Sequence, residues 1–313
     1  MRVGTANYYE TSLMALLAKQ ESVNKVQQQL DTGRRIVTPS DDPIGATHAL
    51  QTSQAIAQSD AYLSNMATAS NKLAEENNVL GAVDKLLAQA KGFAASAGGN
   101  PTTTQRTDFA SYLTNVRDSL IAYANEVNSE GNYIFSGSKG STKPYTFSSV
   151  ADNTTVPATT TVTTTYNGDA KQQSITIAQG RNLPVSDPGS SVFGATPNDV
   201  FSTINQLIKD LSSTTSLTGA AYDAAINTAS TKLDTAIATV RSVNSAVASR
   251  VQEVNLAKST ETNLRLQRKN ELSRVESVNL QEAAVLLSVN QTTLEASQQS
   301  FVKTSSLSLF NYL

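Results

Sequence analysis

Apolar side chains recur at alternating intervals of three and four residues near both ends of the chain. Near the N-terminus the positions are Leu13, Leu16, Gln20, Val23, Gln27 and Leu30. Near the C-terminus they are Leu280, Leu287, Leu294 and Phe301, with the small residues Ala283, Asn290 and Ser297 in between. Such intervals place side chains in one stripe along a helix, the stripe that a coiled coil buries. Both stripes contain polar residues at core positions, so we expect these terminal helices to depend on partner helices.

Cleaner stripes lie between the two ends and predict an inner helical bundle. One comprises Tyr62, Met66, Ala69, Leu73, Glu76, Leu80, Val83, Leu87, Ala90 and Ala94, and another comprises Tyr222, Ile226, Ala229, Leu233, Ala236, Val240, Val243, Val247, Val251 and Val254. Shorter helices are predicted from Phe109, Leu113, Val116, Leu120, Tyr123 and Val127, closed by Gly131, and from Val200, Ile204, Leu207, Ile208 and Leu211. The turn sequence at residues 98–101 indicates that the second and third helices pack as an antiparallel pair.

Glycine, proline and capping residues predict where helices begin and end. The first helix is expected to end near Asp31, with Gly33 at a C-cap position. Ser40, Asp41 and Asp42 before Pro43 predict a helix start, an N-cap followed by a proline in the first turn. After Gly219 the last 94 residues contain neither glycine nor proline. One continuous helix of that length is compatible with the sequence and would span about 140 Å.

Residues 137–197 have a different composition from the rest of the chain. Five of the eight prolines lie there, and threonine dominates residues 154–165. The β-branched segments 161–166 and 174–177 flank Asn167-Gly168-Asp169, which is a favourable hairpin turn sequence. We therefore predict a small β-rich insert, with a disordered threonine-rich linker as the alternative.

Together these patterns predict a mainly α fold, an elongated nested helical bundle with coiled-coil terminal helices and a small β-rich insert at the tip. We expect a terminal coiled-coil domain at residues 1–43 and 270–313. A helical bundle domain is expected at residues 44–136 and 198–269, with the insert domain at 137–197. In the monomer we expect a folded bundle with mobile ends.

Composition and candidate chemistry argue against an enzyme. Charged residues make up 16% of the chain, and 24 basic residues nearly balance 26 acidic ones, so we expect no nucleic-acid binding. No segment approaches the roughly 20 apolar residues of a membrane span, so we expect no membrane insertion. The chain contains no cysteine, which excludes disulfides and thiolate metal sites. Asp41, Asp42 and His48 form the single cluster that resembles a catalytic or metal site, and helix capping explains both aspartates. No cofactor is expected.

Three segments together resemble the flagellin superfamily. They are residues 27–36 with Ser40-Asp41-Asp42-Pro43, residues 133–139 with 144–147 and 166–169, and the ending Ser305-Ser306-Leu307-Ser308-Leu309-Phe310-Asn311-Tyr312-Leu313. Filament flagellins usually follow the paired aspartates with Ala-Ala-Gly, whereas Pro43-Ile44-Gly45-Ala46 follows them here. Together with the Phe-x-Gly element at Phe135 and Gly137, this departure favours the hook-associated branch of the third type.

The resemblance implies a structural subunit at the junction between the flagellar hook and filament. It implies export in an unfolded state, with an extracellular location after a transient cytoplasmic stage. The implied partners are the first hook-associated protein, flagellin, the filament cap protein during assembly, an export chaperone and further copies of the chain in a ring. A filament flagellin, and an adhesin-like surface protein on a helical stalk, are the alternative interpretations.

The terminal stripes are the candidate assembly interface. The predicted interface residues are Leu13, Leu16, Val23, Leu30, Leu280, Leu287, Leu294, Phe301, Leu307, Leu309 and Phe310. No catalytic, cofactor-binding or metal-binding residue is predicted. We expect Leu287, Leu294 and Phe301 to pack on the first helix in the assembled polymer and to be open to water in the monomer.

Overall fold

The structure, a computed structural model, describes residues 2–152, 159–213 and 218–310, which form seven helices, four strands and the loops between them. The helices are α1 Arg2–Thr32, α2 Pro43–Ala97, α3 Thr103–Ala124, α4 Gly189–Phe193, α5 Val200–Ser212, α6 Ala220–Glu276 and α7 Leu280–Phe310. The strands are β1 Tyr145–Asp152, β2 Thr159–Tyr166, β3 Ser174–Ala178 and β4 Arg181–Pro184. The prediction of a mainly α fold with a small β-rich part is confirmed.

The chain divides into two compact units. The terminal unit comprises Met1–Asp60 and Thr262–Leu313, and the central unit comprises Ala61–Glu261. Both α2 and α6 therefore contribute residues to each unit. The three-domain division expected from the sequence stays a prediction.

Antiparallel packing of α2 and α6 forms the core of the central unit. Arg241 Nε lies 2.8 Å from Asp84 Oδ1, and the Tyr222 hydroxyl donates a hydrogen bond of 2.9 Å to the Ala97 carbonyl. The α2 stripe from Met66 onward is buried, as are most of the predicted α6 positions. Apolar residues at this spacing share one face of a helix, and two such faces bury each other. Burial in the structure thus agrees with both predicted stripes.

Helix α3 packs against α2 and ends earlier than predicted. The rings of Phe93 and Tyr112 stack with centroids 5.2 Å apart. Asn125 is the C-cap residue, and its side chain donates to the Ile121 carbonyl while accepting from the Tyr145 N–H at 3.0 Å. Val127 was predicted to lie on this helix, but the helix ends before it. Val127 instead pairs with Tyr133 in an isolated β-bridge.

The strands form two separate antiparallel hairpins rather than the single predicted hairpin. Strand β1 pairs with β2, with Tyr145 opposite Tyr166, and β3 pairs with β4. The sequence correctly placed strands near 161–166 and 174–177, but it wrongly joined them through the turn at Asn167. That residue instead donates its backbone N–H to the Pro144 carbonyl at 2.8 Å, which ends the β1–β2 ladder.

Two helix breaks meet in the terminal unit. Arg34, between α1 and α2, forms an antiparallel bridge with Ser277, between α6 and α7. The Arg35 N–H donates to the Glu276 carbonyl at 2.6 Å, and the Val278 N–H donates to the Gly33 carbonyl at 3.1 Å. The continuous C-terminal helix compatible with the sequence is therefore wrong, because the backbone at residues 277–278 pairs with a distant segment rather than continuing the helix.

Candidate assembly interface

Helices α1 and α7 pack antiparallel within the terminal unit. The Tyr9 and Phe301 rings meet edge to face, with centroids 5.9 Å apart and an interplanar angle of 86°. Beside them lies a groove of about 390 Å³, lined in part by Leu16 and Thr293. Val23 is nearly buried, at 9% exposure, and Leu16 and Leu30 are half buried. The terminal stripes therefore partly cover each other in a single chain. The sequence had instead suggested that they are open to water in the monomer.

The covered stripe on α1 is shifted by one residue from the predicted stripe. Leu16, Val23 and Leu30 are common to both, but the residues three positions before them, including Gln20 and Gln27, are exposed. Ser12 and Val26, four positions before Leu16 and Leu30, are covered instead, whereas Lys19, four positions before Val23, is exposed. Tyr9, seven positions before Leu16, is also half buried. A seven-residue repeat allows a neighbour on either side of its central line, so Tyr9 and Val26 could be found from spacing only once the position of α7 was known.

The covered stripe on α7 follows the predicted positions. Ala283 is buried, and Leu287, Asn290, Leu294, Ser297 and Phe301 are half buried. Leu280 is 59% exposed, and on α1 Leu13 is 48% exposed. The side chains of Leu307, Leu309 and Phe310 lie outside the part of the chain whose side chains are described. The role of the predicted residues in assembly stays a prediction.

Large apolar side chains also stay exposed on this helix pair, and apart from Leu13 and Leu280 they were not predicted from the sequence. We call these exposed side chains the outer apolar surface. They are Leu13, Met14 and Leu17 on α1 and Leu280, Val285, Leu286, Val289 and Val302 on α7.

Asp42 caps the start of α2, whereas Asp41, which the sequence also suggested as part of the cap, does not. Asp42 Oδ1 accepts the Gly45 N–H at 2.9 Å, and Asp42 Oδ2 lies 3.0 Å from the Arg35 guanidinium. The Gly45 hydrogen bond and then Arg35 hold the pKa of Asp42 below its usual value. A Cβ at Gly45 would lie 2.7 Å from Ile36 Cδ1, so a larger residue there would have to displace that side chain and the Asp42 carboxylate.

Asp41 joins the linker to α1. Its carboxylate lies 2.7 Å from Lys25 Nζ and accepts the Val37 and Thr38 N–H groups at 3.0 and 2.8 Å. The hydrogen bond from Lys25 is the main reason that the pKa of Asp41 lies well below its usual value. His48 lies apart from both, with Nε2 3.3 Å from Glu271 Oε1. Among the described residues no cluster of three or more potential metal ligands occurs, and no helix has the length and apolar character needed to span a membrane.

Comparison with known proteins gives related flagellar proteins. Residues 5–140 match the family described as the bacterial flagellin N-terminal helical region. The chain is 26% identical to flagellar hook-associated protein 3 of Escherichia coli, over 99% of both chains. It is 29% identical to flagellar hook-associated protein 3 of Salmonella typhimurium over 62% of this chain, and that alignment spans only 57% of the Salmonella protein.

A solved structure supports the fold. The flagellar junction protein FlgL from Legionella pneumophila superposes with a TM-score of 0.58 at 16% identity, covering 73% of this chain and 99% of that one. The prediction of a hook-associated protein, rather than a filament flagellin or an enzyme, is confirmed by the relatives. The chain thus resembles flagellar structural proteins, with a flagellin N-terminal helical region at residues 5–140 and hook-associated protein 3 as a relative along its whole length.

Proposed function

We propose that this chain joins the hook to the filament of the bacterial flagellum, and that α1 and α7 contact its neighbours there. The distribution of exposed apolar side chains carries this proposal. In the described part of the central unit, only Tyr112, Val127 and Leu256 are large apolar side chains that remain exposed. The outer apolar surface of α1 and α7 holds eight such residues by itself. Burying each one contributes about 1.5–3 kcal/mol, so neighbouring subunits would gain substantially by covering them.

The neighbours follow from the proposed position. On the hook side the chain would contact the first hook-associated protein, and on the filament side it would contact flagellin, with the filament cap protein adjacent during assembly. Copies of the chain would surround the axis as a ring, since repeated head-to-tail contacts form a ring when the rotation between copies closes. The names of the Escherichia coli relative and of the Legionella structure support this position.

The C-terminal helix suits a segment that is held by a chaperone before export. Between Leu280 and Phe310 the charged residues are Glu282, Glu295 and Lys303. Exposed apolar side chains on a helix with so few charges would favour aggregation while the chain is in the cytoplasm, unless another protein binds them. We propose that an export chaperone covers it, that the chain leaves the cell unfolded, and that it folds at the distal end of the hook.

A deletion strain tests the junction role. Electron microscopy should show hooks without filaments, and the culture medium should contain flagellin monomers. Complementation with the full chain should restore filaments. Intact filaments in the deletion strain would rule out the junction role.

A pair of variants tests the outer apolar surface. Val289 is 53% exposed, and its neighbour Ser288 is also exposed, so either change to aspartate should leave the single chain folded. Val289→Asp should abolish complementation, because a carboxylate buried between subunits without a partner is costly. Ser288→Asp is the matched control and should retain filaments. Equal motility for the two variants would show that this surface is not buried on assembly.

A further inference from the structure

One acidic side chain lies within the apolar stripe of α2 in the central unit. Glu76 is 0% exposed and is flanked along the stripe by Leu73 and Leu80, which are also fully buried. Its Oε1 accepts the backbone N–H of Asp187 at 2.9 Å. Its Oε2 is buried and has no hydrogen-bond partner within the described residues. A buried carboxylate with one unmet oxygen is costly, because water would otherwise solvate both oxygens.

The positive charge that acts on Glu76, that of Arg250, is already paired with the Asp187 carboxylate. Asp187, which lies between β4 and α4, is 5% exposed. Arg250 on α6 donates to its two oxygens at 2.8 and 3.1 Å, and the Gln172 amide donates at 2.5 Å. With Glu76 ionised, the three charged groups would carry a net charge of −1 in a buried space. With Glu76 protonated, the cluster is an Arg250–Asp187 pair beside a neutral acid.

Other ionisable groups around Glu76 do not compensate this charge. Lys72, one turn earlier on α2, pairs with Glu130 at 2.7 Å, and Glu75 accepts from the Ser129 N–H at 3.3 Å. Burial first, and then the negative charge of Asp187, raise the pKa of Glu76 to about 8, while the Asp187 N–H and Arg250 oppose that rise.

We propose that Glu76 is a proton-binding switch. Its protonation state makes the packing of residues 185–188 against α2 depend on pH. Those residues are buried, and Gly189 next to them donates its N–H to the Phe135 carbonyl at 2.9 Å. Local opening of the segment would break the Asp187–Glu76 hydrogen bond and admit water to the carboxyl. The acid would then lose its proton at neutral pH. The switch stands on the geometry of the central unit and does not depend on the junction role.

The sign of the coupling follows from proton linkage. The pKa of Glu76 falls from about 8 in the closed segment towards the usual 4.5 on opening, so opening releases one proton between these pH values. The closed state is therefore favoured fully below the lower pKa and loses its advantage as pH rises. The opening equilibrium should increase by about ten-fold per pH unit across this window and level off above the upper pKa.

Hydrogen exchange of the full chain tests the switch. Peptides containing the Asp187 amide are followed by mass spectrometry from about pH 5 to 9, and rates are divided by the intrinsic exchange rates. In the wild type the corrected opening constant should rise about ten-fold per pH unit up to about pH 8. In Glu76→Gln, which keeps an oxygen for the Asp187 N–H but cannot ionise, it should be independent of pH.

A matched variant controls for loss of a carboxyl elsewhere. Glu126 is exposed, so Glu126→Gln should keep the wild-type pH dependence. A pH-independent opening constant in the wild type would overturn the switch, and so would an unchanged slope in Glu76→Gln. The wild-type series alone remains decisive if Glu76→Gln fails to fold.

Discussion

The α2–α6 stripes of the central unit and the α1–α7 stripes of the terminal unit have the same spacing but differ in burial. Leu73, Leu80 and Leu87 on α2 are 0% exposed. On α1 and α7, Leu16 and Leu294 at equivalent repeat positions remain half buried. The heptad repeat thus specifies which side of a helix is covered, but not how completely.

Additional layers explain the difference. In the central unit α3 and α5 pack beside the α2–α6 pair, as shown by the Phe93–Tyr112 stack and the Arg117–Asn205 hydrogen bond of 3.2 Å. A pair of helices buries one stripe on each, and the edges of that stripe stay in contact with water. In the α1–α7 pair the edges of the stripe therefore remain exposed to water. This is expected of helices whose apolar side chains are covered by neighbouring subunits.

The largest effect on stability is expected from truncating a residue of the central stripe. Leu80→Ala should lower the free energy of unfolding by about 2–5 kcal/mol, because a fully buried side chain leaves a cavity. Leu294→Ala is the matched change in the terminal stripe and should lower it much less, since Leu294 is already partly in water. Urea unfolding followed by circular dichroism measures both, and equal losses would contradict the comparison.

Assembly should depend on the terminal stripe even where stability does not. Leu294→Asp should abolish motility, because the change recurs in every copy, while the thermal midpoint of the central unit stays close to that of the wild type. Differential scanning calorimetry and swimming assays measure the two effects. A large fall in that midpoint would show that the terminal stripe belongs to the folding core of the monomer.

A smaller, pH-dependent effect is expected at the cap between α1 and α2. Asp42→Ala should lower the thermal midpoint of the terminal unit at neutral pH, because the Gly45 N–H and Arg35 lose their partner. The pKa of Asp42 is lowered on folding, so its contribution is present above the ordinary pKa and disappears as pH falls through the lowered value. The difference from wild type should therefore vanish in strong acid. Glu21→Ala, at an exposed position on α1, should show no such pH dependence.

The smallest effect is expected from shortening the β1–β2 hairpin. Ser148 pairs with Thr163, so an Asn-Gly turn can replace residues 149–162 and keep the buried Tyr145 in place. Filaments and swimming should be unchanged, because the proposed subunit contacts lie on α1 and α7. Surface attachment assays address the adhesin-like alternative, which requires normal swimming with lost attachment. Loss of filaments would place a subunit contact in the hairpin.

Local signals in the sequence determined most of the helical fold. The stripes of α2 and α6 were identified at their buried positions, and Gly33, Asp42 and Pro43 correctly marked helix ends. These signals need only neighbours within about one or two helical turns, so they survive without knowledge of the tertiary structure. For the same reason the mainly α fold class could be predicted.

The tertiary structure decided features that depend on distant partners. No glycine or proline marks the break before α7, where Ser277 pairs with Arg34. The strand segments around Asn167 could be located, but their partners are chosen by contacts with β1 and β4. On α1 the sequence indicated a stripe that includes Gln20 and Gln27, and the position of α7 instead covers the adjacent side with Val26. Glu76 is the charged member of its predicted stripe, and only the tertiary structure places Asp187 and Arg250 beside its carboxyl, because hydrogen bonds and charges act between residues far apart along the chain.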